Sequence, residues 1–401
     1  VNWKKLLPLY IGAGIGPIGG FGIVPIIPVL AKAWSVPFTT ASLAITFYMA
    51  PFICIQIFSG AIAQVYDVRK TLFFGFAMYA FGGVLCGFSP NLWTLLASRL
   101  IQGAGGGFLT PIIMAMIGEV VPQQHVGKAM GMLGLAYTVG VTLGPLISGV
   151  IEVHAGWPWF FFSLSALAFT AGAFYFVSSE SMERQNGGQE GILSVLPILK
   201  NALSQPGVLY LSFSAFSYFI TYIGIGTFTA DHLKTNLLLP SDRIGAMISV
   251  TGFSGIIASP IAGFLGDRYG RTNIFLLGVG IALLSLILMA LVPYTYAMYL
   301  LFFLILGAGS ATAWTSLNTI AIQMFPPLRK PVTSVYNAIK FSGYAFSPIL
   351  LSLIYAPFEL RGVQWGCMVA VLISAFLGII AQLKSRAHEA QDLPGLRSPA
   401  E

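Results

Sequence analysis

Two cations, Arg99 and Lys340, are the residues of this 401-residue chain best placed to do chemistry, because each stands inside a long apolar run. Counted from the ends of those runs at 1.5 Å per helical residue, Arg99 lies about 10 Å from one surface of a bilayer and Lys340 about 14 Å from the other. A cation at such depth costs roughly 2.5–3.5 kcal/mol to insert, so a functional role is weighed first, against a structural cation on backbone carbonyls or a snorkelling lysine. Asn337, Lys340 and Tyr344 follow one another by about one helical turn and share a face, and Gln102 stands one turn from Arg99. All 13 carboxylates fall in loops, in the tail or at helix ends. Two cations without a carboxylate at mid-depth suit an anionic, zwitterionic or neutral amphipathic solute. Catalysis has no support: there is no pair of mid-span aspartates, no Ser and His at one depth, and no H-E-x-x-H metal motif. The three cysteines, Cys54, Cys86 and Cys367, show no C-x-x-C spacing, so no metal, cofactor or disulfide framework is expected.

The elements that position these residues follow from composition. The chain is 56% hydrophobic and 8% charged, with a mean hydropathy of +0.83, where soluble domains carry about 25% charged residues. It is therefore an all-α membrane protein. Nucleic acid is excluded as a partner, since the +7 net charge is scattered without a basic cluster. Spans are expected at 6–30, 40–64, 71–88, 92–118, 129–153 and 157–178, then at 207–232, 243–266, 272–292, 295–325, 331–356 and 363–384. Two six-helix bundles result, at 1–178 and 207–384, with a polar linker at 179–206 containing an amphipathic piece and a tail at 385–401. Of the 20 Lys and Arg, Lys32, Lys234, Arg243 and Arg361 fall outside, Arg99 and Lys340 fall within spans, and the remaining fourteen fall inside, which puts both termini in the cytoplasm of a plasma (inner) membrane protein.

Other polar groups interrupt the aliphatic spans. Tyr137, Tyr222, Trp314 and Asn318 need partners that hydrocarbon cannot supply, so with Arg99, Gln102, Asn337, Lys340 and Tyr344 they are candidates to line a solute path. Interface anchoring competes, and is preferred for Trp34, Trp93, Trp157 and Trp159 at span ends. For Asn318 and Asn337, interhelical bonds weigh equally with solute contact. The histidines, His232 among them, fall outside the membrane core.

Between the spans at 243–266 and 272–292 lies Gly263-Phe-Leu-Gly-Asp267-Arg268-Tyr-Gly-Arg271, a very short charged turn. It resembles the G-x-x-x-D-R-x-G-R loop of the major facilitator superfamily. Gly60-Ala-Ile-Ala-Gln-Val-Tyr-Asp67-Val-Arg69-Lys occupies the matching place in the first half, with Gln64 and Val65 where that pattern has Asp-Arg. Gly60 and Gly263, Gly140 and Gly343, and Pro145 and Pro348 are each 203 residues apart, the offset between the two blocks. Three further stretches resemble the drug:proton antiporter branch: Pro25-Ile-Ile-Pro28, Arg99-Leu-Ile-Gln102-Gly103-Ala-Gly105, and the helix-5 motif Gly140-Val-Thr-Leu-Gly144-Pro145-Leu-Ile-Ser-Gly149.

The resemblance implies a twelve-helix major facilitator fold, two pseudo-symmetric bundles with a solute site between them near the midplane. It implies a monomeric secondary transporter working by alternating access. Proton-coupled efflux of a small amphipathic anionic or zwitterionic solute is expected; export of neutral or cationic lipophilic drugs, or proton-coupled uptake of an anionic metabolite, are the alternatives. Gly60, Asp67, Arg69, Gly263, Asp267, Arg268 and Arg271 are expected at an inner gate. Gly140, Gly144, Pro145 and Gly149 are expected to let helix 5 rock against the other half. Arg99, Glu119, Asp231 and His232 are the candidates for proton coupling.

Overall fold

The computed structural model describes residues 3–65, 68–178, 195–292, 295–325 and 328–392, and among these there are helices and no strand. In order the helices are α1 (Trp3–Phe21), α2 (Ile27–Ala33), α3 (Phe38–Ala41), α4 (Leu43–Val65), α5 (Val68–Gly87), α6 (Leu92–Val120), α7 (Gln123–Ala155), α8 (Trp157–Ser178), α9 (Val195–Ser204), α10 (Val208–Thr235), α11 (Ser241–Tyr269), α12 (Arg271–Leu291), α13 (Tyr296–Gln323) and α14 (Arg329–Asp392). Among the described residues, nine segments are long and apolar enough to cross a membrane. The last, Pro331–Ser385, is two passes folded back at Glu359, whose φ of 52° and ψ of −149° break the helix. With α6 and the shorter Leu6–Phe21 this gives the twelve passes expected.

Local chemistry sets the ends. The Asn91 side chain accepts from Thr94 N at 3.0 Å to cap α6, and Thr295 does the same for α13. The turn between α11 and α12 is one residue, Gly270, at φ +91°, a conformation that a Cβ would penalise. The expected first span is not one helix. It stops at Phe21 and resumes at Ile27, and Pro25 in the break has no amide hydrogen to donate to an intervening turn. At the far end α14 continues to Asp392, past the expected end of the last span. The amphipathic piece of the linker is α9; residues 179–194 and 393–401 lie outside the described residues.

Each bundle repeats one packing plan. In the first, α1 packs on α7, α4 on α6, and α5 on α6 and α8; in the second, α10 packs on α14, α11 on α13, and α12 on α13 and α14. The 203-residue offset is visible in single contacts, since Gly140 sits against the Gly14 carbonyl of α1 and Gly343 against the Phe216 carbonyl of α10. The bundles meet through α7 with α11 and through α4 with α14.

Those two seams close only one end. On α11, Ser241 and Gly245 approach Gly149 and Pro145 of α7 backbone to backbone, and Gly252 receives the Thr142 side chain. Beside them Phe38 of α3 packs on Phe228 and Tyr355, with ring centroids 5.5 and 5.9 Å away. Along α4 and α14 the Thr46 hydroxyl donates to the Ala345 carbonyl at 2.6 Å, and Phe52 meets Phe341 at 6.0 Å. Toward the other end the faces separate: no described atom lies within 4 Å of where a Cβ would stand on Gly131 or Gly134 of α7, or on Gly263 of α11.

Candidate solute site

Lys340 projects from the first limb of α14 into a ring of aromatic side chains. Its Nζ lies 4.7 Å from the ring centroid of Phe341, 5.1 Å from Tyr336 and 5.4 Å from Phe219. The ammonium donates to Asn318 Oδ1 of α13 at 3.3 Å, and the residue is 6% exposed. The one ion pair among the described residues is elsewhere, so aromatic faces and one amide oxygen stand in for a counter-ion. Trp314 joins this cluster through Phe219 at 5.9 Å and Tyr222 at 5.2 Å, and Tyr344 through Phe219 at 4.7 Å. The other half supplies Phe21, which meets Tyr344 at 5.1 Å and Tyr222 at 6.1 Å, and Phe52. Trp314, Asn318 and Asn337 are only half-buried, and the two asparagines lie on the open-end side of the Phe52–Phe341 contact. Tyr137 is half-buried on α7.

Five of the nine expected site residues, Tyr222, Trp314, Asn318, Lys340 and Tyr344, are thus brought together. Arg99 and Gln102 are not with them. Arg99 is fully enclosed in the first bundle, where Nε donates to the Ala44 carbonyl at 3.2 Å and Nη1 to the Gly19 carbonyl at 3.1 Å and to Gln102 Oε1 at 2.7 Å. Its guanidinium lies 4.1 Å above the Tyr48 ring. The guanidinium fork pins α6 to α1 and α4, an interhelical brace in place of the expected partner for Lys340 across the cavity.

The charged turns hold local contacts. Arg271 pairs with Asp267 on its own turn and donates to the Gly263 carbonyl at 2.8 Å, while Arg268 lies over Tyr269. Arg69 reaches the Phe176 carbonyl at the end of α8 and stacks on the Phe176 ring at 4.3 Å. Among the described residues neither turn makes a contact between halves in this state, where the ends that carry them are parted. Gly60 lies in α4, and Asp67 lies outside the described residues. A separate polar cavity of about 290 Å³ opens beside this turn, lined by Arg271, Asn273, Gln323, Gln382 and Ser385 among others, but its cation is already engaged by Asp267.

The helix-5 motif divides its work. Gly140 and Gly144 pack on α1 of their own half, and only Pro145 and Gly149 face α11. Small residues at both seams allow the backbone approach; Thr142 lies within the motif, whereas its partners Gly245 and Gly252 on α11 belong to no motif.

Asp231 and His232, expected at a solvated helix end, are 7% and 8% exposed. The Tyr355 hydroxyl donates to Asp231 Oδ2 at 2.6 Å, and the Asn236 amide pairs with His232 Nδ1 at 2.9 Å. Tyr355 also receives Phe38 from the other half, so the buried carboxylate borders the closed end. Glu119 lies near the end of α6, and its side chain is not among those described.

An aromatic-walled, cation-bearing cluster between two six-helix bundles that close at one end and part at the other defines a membrane transporter of small molecules. The sequence profile of the Major Facilitator Superfamily matches residues 9–239 and 211–399, so the chain belongs to that superfamily. It is 26% identical over 397 residues to an uncharacterized major-facilitator-type transporter, YwfA, of Bacillus subtilis, covering 96% of this chain and 93% of the other. It is 24% identical to the riboflavin transporter RibZ of Clostridioides difficile, covering 88% of each, and 25% identical to the multidrug resistance protein MdtG of Salmonella heidelberg, covering 94% and 95%. In three dimensions it resembles the crystal structure of a bacterial homolog of the human lysosomal transporter Spinster in an inward-facing, unoccupied conformation, with a TM-score of 0.77 and 15% identity over 99% of this chain and 98% of that one.

Proposed function

We infer that this chain exports a small amphipathic solute carrying an anionic or zwitterionic group, in exchange for protons, across the plasma (inner) membrane. The observation that carries this reading is Lys340, a buried cation with no carboxylate partner among the described residues, set in an aromatic cluster to which both halves contribute. The distribution of Lys and Arg supports a cytoplasmic parted end and an external Phe38 end, so the solute would enter Lys340's surroundings from inside the cell. The helix-5 motif and the relatives named for multidrug resistance support the outward direction. Arg99, whose Nε and Nη1 are held within the first bundle, is read here as a brace and not as a carrier in the exchange. Asp231 is the carboxylate best placed to take up an external proton, being buried and held by Tyr355 beside the external closure. The turn at Asp267, Arg268 and Arg271 would meet the other half only after the inner ends swing together.

Export of neutral or cationic lipophilic drugs is the second reading, favoured by the aromatic walls, which also suit a cation. Inverted membrane vesicles with an acid interior decide between them. Sidedness is first fixed by labelling a cysteine at Leu238, a residue 81% exposed, which should react only from the external face. Vesicles bearing the wild type should then accumulate an anionic or zwitterionic amphiphile, and a protonophore should abolish the accumulation. Accumulation of lipophilic cations alone would replace the first reading by the second, and labelling of Leu238 from the cytoplasmic face would reverse the orientation.

A further inference from the structure

We propose that the Lys340 cage is a subsite for flat aromatic monoanions, binding the anionic group at the ammonium and the ring among the surrounding aromatic side chains. The assignment rests on reading the central cluster as the solute site and adds the chemical class. The balance of donors and acceptors points to it. Lys340 has three N–H donors, and among the described residues the one acceptor it reaches is Asn318 Oδ1. The Tyr336 ring lies 5.1 Å from Nζ, and that residue, 1% exposed, has a hydroxyl buried without a partner. The cage therefore offers surplus donors, which an oxyanion satisfies and an ammonium does not.

Charge sets the valence. No carboxylate pairs with Lys340 among the described residues, so one negative charge brings the loaded site to neutrality, whereas a cation or a dianion would leave a net charge among apolar side chains. Shape is set by the walls. Phe219, Tyr336 and Phe341 surround the ammonium, Trp314 and Tyr344 extend the lining, and edge-on or offset contacts between rings favour a flat arene over a saturated ring of equal size. Phe52 of the other half touches Phe341, so an arene bound there would exchange ring contacts with both halves as they move.

The test is equilibrium binding to the purified full-length protein in detergent, using 1-naphthoate, cyclohexanecarboxylate and 1-naphthylmethylammonium as probes. Naphthoate should bind at least tenfold more tightly than either of the others, and Lys340→Met should weaken it at least tenfold while Lys340→Arg retains most of the affinity. Should Lys340→Met not yield monodisperse protein, Tyr336→Phe serves instead and should weaken naphthoate at least threefold. Equal or tighter binding of the ammonium probe, or naphthoate binding indifferent to both substitutions, overturns the assignment. The vesicle experiment separates the two levels. A pH gradient that drives some other solute while naphthoate does not bind removes the arene-anion class and keeps the exporter; naphthoate binding as described with no gradient-driven transport of any solute keeps the subsite and removes the exporter.

Discussion

Gly245→Ala should cut transport about fivefold or more while leaving a folded, monodisperse protein. A methyl group at Gly245 of α11 would overlap the Pro145 carbonyl oxygen of α7 and come within 2.9 Å of its carbonyl carbon. Both obstacles are backbone, so neither can turn aside as a side chain could, and the two helices must move apart. Overpacking of this kind costs about 1–3 kcal/mol, which corresponds to roughly a five- to 150-fold shift between two states. The contact joins one bundle to the other and lies outside the packing within either, so the cost falls on the state closed at this end and not on folding. Gly280→Ala on α12, away from both seams, is the control, because no described atom lies within 4 Å of its added carbon. Transport should be measured beside thermal unfolding for both variants. Unchanged transport by Gly245→Ala, or loss of folded protein, would show that this seam is not a moving contact.

Arg99→Ala should fail differently, by loss of folded protein before any specific change in solute affinity. The side chain is completely enclosed and ties together the Ala44 and Gly19 carbonyls and Gln102 Oε1. Removing it opens a cavity of the size left by truncating a large core side chain, about 3–5 kcal/mol. Arg99→Lys should rescue little, since one ammonium cannot reproduce the guanidinium fork between α1, α4 and Gln102. Detergent thermal unfolding and yield are the measurements, with naphthoate affinity determined on whatever remains folded. A fully stable Arg99→Ala protein whose only defect is solute affinity would return Arg99 to the solute path.

The contrast between Arg99 and Lys340 shows how far sequence carried the site. Both were equally conspicuous as cations in apolar runs, because depth along a helix is readable from spacing at 1.5 Å per residue. Which way each helix turns its charge is a tertiary fact, and it made one a brace and the other the centre of an aromatic cluster. The cage walls were half visible: Phe219 with Tyr222 and Phe341 with Tyr344 are each three residues apart, so a polar ring flagged the face on which a silent phenylalanine also lay. Asp231 looked solvated because it falls at the end of its span, and only the approach of Tyr355 from a distant helix buries it. The twelve passes and the duplication followed from hydropathy and the 203-residue offset. The break between α1 and α2 was signalled by Pro25 and Pro28, but an apolar window reads straight through such a break.

Solute is expected to cross because the two ends of the interface open in turn, and spin-label distances test this most directly. In a variant with Cys54, Cys86 and Cys367 replaced by serine, one label pair belongs at Val153 and Leu238 beside the closed end and a second at Leu135 and Ile261 toward the parted end, all four positions being exposed. With no solute, the first pair should give a single short distance and the second a long one. Transported solute or acidification should lengthen the first and shorten the second together in the same sample, and Gly245→Ala should shift the populations the same way without either. Distances at both ends that stay fixed, or that lengthen together, would contradict alternating access through the α7–α11 and α4–α14 seams.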